Sequence, residues 1–174
     1  MAVAFDNISA LTQASATTWT VTKPAFVADG DLIIVSLVTN TESTVNTVPT
    51  GFTLIASQQG GAEADHHVYW KTASGEPASW DWVLSAAESG VKTVGTYTGH
   101  DTSAPINQFS SSSATGPTIE SASITPNVDN CMIVVALGCN PPGTPAITGS
   151  PDTSPVGNER ADFKDAISSG YIYW

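Results

Sequence analysis

The residues of this chain best able to do chemistry are its histidines and carboxylates, and their spacing decides whether they can act together. Asp65-His66-His67 is the densest cluster. On an extended backbone successive side chains point to opposite faces, so His66 and His67 diverge and only Asp65 and His67 could share a metal ion. A zinc site needs three or four ligands. His100-Asp101 could add donors, but it sits in a turn-like segment that nothing in the sequence brings near the first cluster. There is no Gly-x-Ser-x-Gly elbow or catalytic-cysteine signature, and P-loop and dinucleotide fingerprints are missing. Glu42, Glu63, Glu76, Glu88 and Glu159 all fall in loop-like stretches and read as solvated, so they do not form the paired carboxylates of a sandwich glycosidase. The expectation is a protein with no catalytic, cofactor-binding or metal-binding residues, and no enzyme.

The aromatic residues offer a different chemistry, stacking against a partner or a sugar. Trp19, Tyr97 and Trp174 are the candidates for such contacts. Three of the five tryptophans crowd into VYWKTASGEPASWDWVLS, residues 68 to 85. Alternation on both sides of Ser74-Gly75-Glu76-Pro77 predicts a β-hairpin with Trp70 opposite Trp82 on an apolar face and Lys71 opposite Asp81 on a solvated one. A slip of one residue would exchange those faces, so the pattern specifies register. Inward alternation favours a core role for Trp70 and Trp82 over a binding platform.

The elements that must position these residues are strands. Only 12% of the 174 residues are charged and 41% are hydrophobic, with Thr, Ser, Val, Gly and Pro abundant, a composition that favours short strands joined by turns. No helical period is found, and Ser85-Ala-Ala-Glu-Ser89 reads as a loop or a single turn. GDLIIVSLV, residues 30 to 38, is apolar throughout, as expected of a central strand covered on both faces. FTLIAS and GVKTVGTYTG add further strands, the second ending at Gly99-His100-Asp101. About ten strands with turns between them predict an all-β, antiparallel β-sandwich, jelly-roll-like or immunoglobulin-like.

Charge narrows the partners. With 16 acidic and 5 basic residues the net charge is −11, which argues against nucleic acid and anionic membrane as partners. The N-terminus has no basic segment followed by an apolar one, so synthesis and assembly in the cytoplasm are expected. Cys131 and Cys139 are expected in one strand, roughly 26 Å apart if fully extended. They read there as buried thiols.

The chain divides at a Ser-rich connector, residues 111–118, into a first set of strands (1–110, with the Trp hairpin at 65–85) and a second (119–174). The second set resembles the first. VDNCMIVVALGCN echoes DGDLIIVSLVTN, and SGYIYW echoes DHHVYW, at displacements of about 99 and about 104 residues. If the halves repeat, Ser169 to Trp174 end in a strand whose hairpin partner is missing. Pairing with the N-terminal strand near Ala2 to Ile8, or with a neighbouring copy, would then complete it, the alternative being that the 174 residues are part of a longer gene product.

Four phrases occur in a set order: a Gly-Asp strand (GDLIIVSLV), a Pro-x-Gly-Phe-x-Leu strand (VPTGFTLIAS), a Lys-containing hairpin with Gly-Glu-Pro (VYWKTASGEPASWDWVLS) and a Tyr-Thr-Gly-x-Asp turn (VGTYTGHDTSAPI). Together, over residues 30 to 106, they resemble the β-sandwich structural proteins of tailed bacteriophages and prophages. That resemblance implies a virion component, most readily a decoration or cement protein on the head, with the major capsid protein and further copies of itself as partners. It carries over no catalytic residues. A tail-fibre, adhesin or carbohydrate-binding module is the alternative, using Trp19, Tyr97 or Trp174. Because His66 and His67 diverge, folding should need no divalent ion: EDTA should leave the melting temperature unchanged, and a clear fall would contradict this reading.

Overall fold

The computed structural model describes residues 3–59, 64–113, 122–129, 131–139, 159–164 and 169–173, and the described residues contain strands and no helix. Among the described residues nine strands form two antiparallel sheets. The larger contains β1 (Ala4–Thr22), β2 (Leu32–Thr39), β3 (Val45–Thr47), β4 (Thr53–Gln58), β5 (His66–Thr72) and β6 (Ser79–Thr98) in the order β1-β6-β2-β5-β4, with β3 also on β6. The smaller contains β7 (Val135–Cys139), β8 (Glu159–Lys164) and β9 (Ser169–Tyr173) in the order β7-β9-β8. All eight residues of β2 are buried between β5 and β6, the environment its unbroken apolar run predicts.

The long strands β1 and β6 give the large sheet its shape. Asn7 to Gln13 pair without a break with Thr96 to Gly90, and Thr18 to Thr22 pair with Val83 to Ser79. Between these stretches the register shifts at Gln13/Ala16 and Ala16/Thr18, leaving residues of β6 unmatched on β1. Such bulges bend a strand and increase its twist. The bend brings the first half of β6 over the face of β2 and β5, where Trp82 meets Phe52 and Tyr69 at ring-centroid distances of 5.0 and 6.0 Å. One core lies between the folded layers: Trp19, Val21, Ile33, Val35, Leu37, Tyr69, Trp80, Trp82, Leu84 and Val94. A second cluster, Leu32, Ile34 and Tyr97 with Phe5, Val68, Trp70 and Val134, covers the opposite face of β2.

The bend depends on a glycine. A Cβ on Gly90 would stand 2.0 Å from the Val38 carbonyl oxygen and 2.8 Å from Cη2 of Trp19. The Trp19 indole donates to the carbonyls of Ala16 and Glu88, both at 3.2 Å, and so ties the two strands together where their register breaks. Lys92 adds a second tie. Its buried ammonium donates to Gln13 Oε1 at 2.5 Å and to the Thr20 carbonyl at 2.6 Å, spanning both stretches of β1.

Several expectations are corrected. The stretch 68 to 85 is not a hairpin: β5 pairs with β2 and β4, while Ser79 to Val83 pair with β1. Residues 73 to 78 form an arch between layers, held by Gly30 N to Ala73 O (2.9 Å), Ala73 N to Asp31 O (2.8 Å) and Lys23 N to Ala78 O (2.9 Å). Trp70 and Trp82 therefore lie in different clusters, and Tyr69 is the β5 residue that faces Trp82. The hairpin reading assumed one solvated face for β5, but both its faces carry apolar side chains against a cluster. Residues 85 to 89 remain within β6 and form neither loop nor turn. Cys131 precedes β7 and is exposed, where a buried strand thiol was expected.

The smaller sheet lies against the larger, with β7 near β2 and β5, β9 near β6 and β8 near β1. Gly138 permits this approach, because a Cβ there would stand 2.9 Å from the Val38 side chain. The connector is bridged by Asn107 with Asn127 (2.6 and 3.1 Å) and by Ser110 Oγ with the carbonyls of Ala122 and Ser123. Ser169 to Tyr173, expected to pair with the N-terminal strand or a neighbouring copy, are paired on both sides by β7 and β8 of the same chain. The N-terminal strand pairs instead with β6.

Because the obstacle at Gly90 is backbone, Gly90→Ala should destabilise the fold by about 3 kcal/mol, the upper end of the range for an overpacked core. Gly30 has φ 92° but open space around it, so Gly30→Ala should cost only the conformational penalty of about 1 to 2 kcal/mol. Urea unfolding of both variants checks the order.

Candidate functional site

The arch carries the most concentrated polar arrangement of the large sheet. Glu76 sits at its centre with a side chain only 2% exposed. One carboxylate oxygen accepts from Lys71 Nζ at 2.9 Å and from the Trp80 indole at 2.8 Å, while the other accepts from the Ser74 amide at 3.0 Å. Lys71 also donates to the Thr50 carbonyl at 3.3 Å and lies 5.7 Å from the centre of the Phe52 ring. Gly75, with φ 59°, makes the tight bend and donates its amide to Asp29 Oδ1 at 2.8 Å. Burial alone would raise the Glu76 pKa, but hydrogen bonds from Lys71, Ser74 and Trp80, with the Lys71 charge, hold it below the usual value. Lys71 is therefore paired with Glu76 and not with Asp81, which is exposed opposite Thr20 on β1. Glu76 and Glu88 were read as solvated loop residues. Both are packed in, Glu88 accepting from Thr41 Oγ1 at 2.7 Å and from the Thr41 amide at 3.2 Å. A Glu flanked by Gly and Pro between two strands was the available signal: the bend aims its carboxylate back at the arch.

The histidine pair divides as extended geometry requires. His67 is buried, with Nε2 donating to the Ser43 carbonyl at 2.9 Å and Nδ1 accepting from the Ser57 hydroxyl at 2.9 Å. Asp65 is fully buried and accepts the Ser43 amide at 2.8 Å. His66 meets Ser36 Oγ at 2.6 Å through Nε2. Burial, with a smaller contribution from the neighbouring His67 charge, pushes His66 down to about 4. Burial also lowers His67, against opposing effects of the Ser43 carbonyl and Asp65. Both rings act as neutral fasteners joining β2, β4, β5 and the segment before β3. Among the described residues no three His, Cys, Asp or Glu side chains converge as a metal site would require.

Of the proposed stacking residues, Trp19 is 0% and Tyr97 1% exposed, so neither offers a ring face to a ligand. Trp174 lies outside the described residues. Trp70, read as core, is half-buried and lines a groove of about 350 Å³ with Leu54, Ile55 and residues 103–109. Phe109, 60% exposed, stands in the same groove, and no charged side chain lines it. This neutral aromatic groove on an acidic protein is the candidate site. Comparison with protein-family models, curated proteins and solved structures finds no match.

The histidines predict a pH dependence. An unfolded histidine titrates near 6.5 and folded His66 near 4, so between these values the unfolded chain takes up a proton that the folded chain refuses. Stability should be full above pH 6.5, fall as pH drops toward 4 by roughly a few kcal/mol, and fall less steeply in His66→Gln, in which the lowered His67 remains. Loss tied to Glu76 belongs to a lower window. Its folded pKa is depressed, so its contribution is present above the ordinary carboxylate pKa and disappears below it. Urea titrations from pH 7.5 to 3 separate the two.

Proposed function

We propose that this chain is a non-enzymatic structural protein of a tailed-phage virion, a decoration or cement protein on the outer surface of the head. The architecture is read as a β-sandwich in which the β1/β6 ribbon folds over β2 and β5. The observation that carries the proposal is the scaffold role of the four phrases behind the phage resemblance. Gly-Asp opens the central strand β2, Pro-x-Gly-Phe-x-Leu leads into β4, Gly-Glu-Pro places Glu76 between Lys71 and Trp80, and Tyr-Thr-Gly-x-Asp closes β6 at Gly99, with φ 72°. None of these motifs is spent on converging reactive groups. The net charge of −11 suits a position away from packaged DNA, which an inner protein would instead neutralise. In this reading the partners are the major capsid protein and other copies of the chain. Weak contacts gain strength from the many equivalent sites of a shell, and assembly takes place in the host cytoplasm.

The groove favours a second reading, a carbohydrate-binding module of a fibre or adhesin, with Trp70 and Phe109 in place of the buried Trp19 and Tyr97. Immunogold labelling of purified particles tests the first: label over the head supports it, and label confined to the tail, or none on particles, overturns it. A glycan array tests the second. Selective binding lost at least tenfold in Trp70→Ala would replace the decoration reading with the binding-module one.

A further inference from the structure

The groove beside Trp70 has two firm walls. One belongs to β4 and β5: Leu54 faces Tyr69 and Ala56 faces Val68, so Ile55 is an extra residue with no opposite number on β5. A bulge re-aims a side chain, and here the adjacent Leu54 and Ile55 both line the groove. Trp70 lines it too and packs against the cluster of Leu32, Ile34 and Tyr97, which holds its ring. The other wall is residues 103–109. Asp101 Oδ1 accepts the amides of Ser103 and Ala104 at 2.8 and 3.4 Å, and Asn107 is fastened to Asn127 through both its side-chain oxygen and its side-chain nitrogen. A groove made in advance in this way needs little ordering when a partner binds.

The lining decides what that partner must bring. The indole N–H groups of Trp19 and Trp80 are taken by protein acceptors, whereas that of Trp70 makes no hydrogen bond with the described residues. A ligand that covers it therefore has to supply a free acceptor, which the internally bonded carbonyls of a helix do not. The Asn107 amide is already engaged, and most of the remaining lining is Leu54, Ile55, Ala104, Pro105, Ile106 and the Phe109 ring. Against these the hydroxyls of a sugar would lose water without gaining partners. No charged side chain lines the groove, so an ionic ligand meets no counter-charge, and the net charge of −11 repels an acidic one.

We infer that this groove binds an uncharged, proline-rich peptide segment of a partner protein in the polyproline II conformation. Such a segment has no internal hydrogen bonds, so its carbonyls are free to accept from the Trp70 indole, and its proline rings present an apolar surface to Phe109 and to the Leu54-Ile55 step. Its preformed backbone gives up little entropy on docking. The inference rests on the lining of the groove alone and stands apart from the virion reading; it gives to a peptide the groove that the second reading gives to a sugar.

The probe is a neutral, end-blocked peptide of Ala-Pro-Pro triplets, about ten residues long, titrated into the full chain while the Trp70 indole N–H is followed by NMR. That resonance should move saturably with the peptide. Neither a neutral helix-forming peptide of Ala and Gln nor the glucose trimer cellotriose should move it. Trp70→Phe keeps a ring but removes the donor, and should weaken peptide binding roughly tenfold, the scale of one hydrogen bond left unmade. Because Trp70 also packs on the second cluster, Phe109→Ala, which changes an exposed ring, should weaken binding as well in a chain that melts like the wild type. No movement at millimolar Ala-Pro-Pro peptide overturns the inference, as does full-strength binding by both variants or equal movement with the helical peptide. Movement with cellotriose and not with the peptide overturns it too, and returns the groove to the sugar reading.

Discussion

The contact between Gly90 and the carbonyl of Val38 is the constraint on which the large sheet depends. Strand β6 can turn from its pairing with β2 to its position above β2 and β5 only if its backbone passes this close to the neighbouring strand, and a single methyl group would prevent it. Trp19 occupies the inside of the same corner, fully buried, with its indole N–H shared between carbonyls of both long strands. A bulge frees backbone groups from the ladder, and a buried free carbonyl is costly. The indole meets that need while filling the space left beside the glycine, so one side chain secures both the bend and the core beneath it.

The polar interior follows from this folded arrangement. Strands joined by an arch and by loops bring backbone ends inside, and their donors and acceptors need partners. Glu76 collects three donors in the arch, Asp65 and His67 hold the segment around Ser43, and Glu88 holds Thr41. A chain with so few cations buries two of them, Lys71 and Lys92, to a large extent at these junctions. Lys71 lies against a carboxylate, whereas Lys92 is held by an amide and a backbone carbonyl. Groups that might have been taken for reactive chemistry are thus used to fasten strands together. The neutral groove beside Trp70 is a surface among the described residues that is open to a small ligand.

The second sheet packs on the first and repeats part of its strand order. Its strand order and bulge copy those of β2, β5 and β4, and it covers the face of β2 that carries Leu32 and Ile34, partly through Val134. The same half-unit therefore serves as cover for the first sheet.

The sequence by itself determined the all-β class, the central position of the apolar run at residues 30 to 38, the divergence of His66 and His67 and the suggestion of a repeat, because each rests on short-range periodicity that survives in any sheet. Tertiary structure decided which strands pair. VYWKTASGEPASWDWVLS satisfies a hairpin and an arch equally well, since both place alternate residues on one face; only the competition between β1, β2 and β4 for the same edges separates them. It also decided which aromatics are open. Trp19 and Tyr97 are polar-flanked in sequence but buried, and Trp70 looks like core but borders a groove. Whether a tryptophan on a two-faced strand meets solvent depends on what the distant segment 103–109 covers, and no local pattern encodes that.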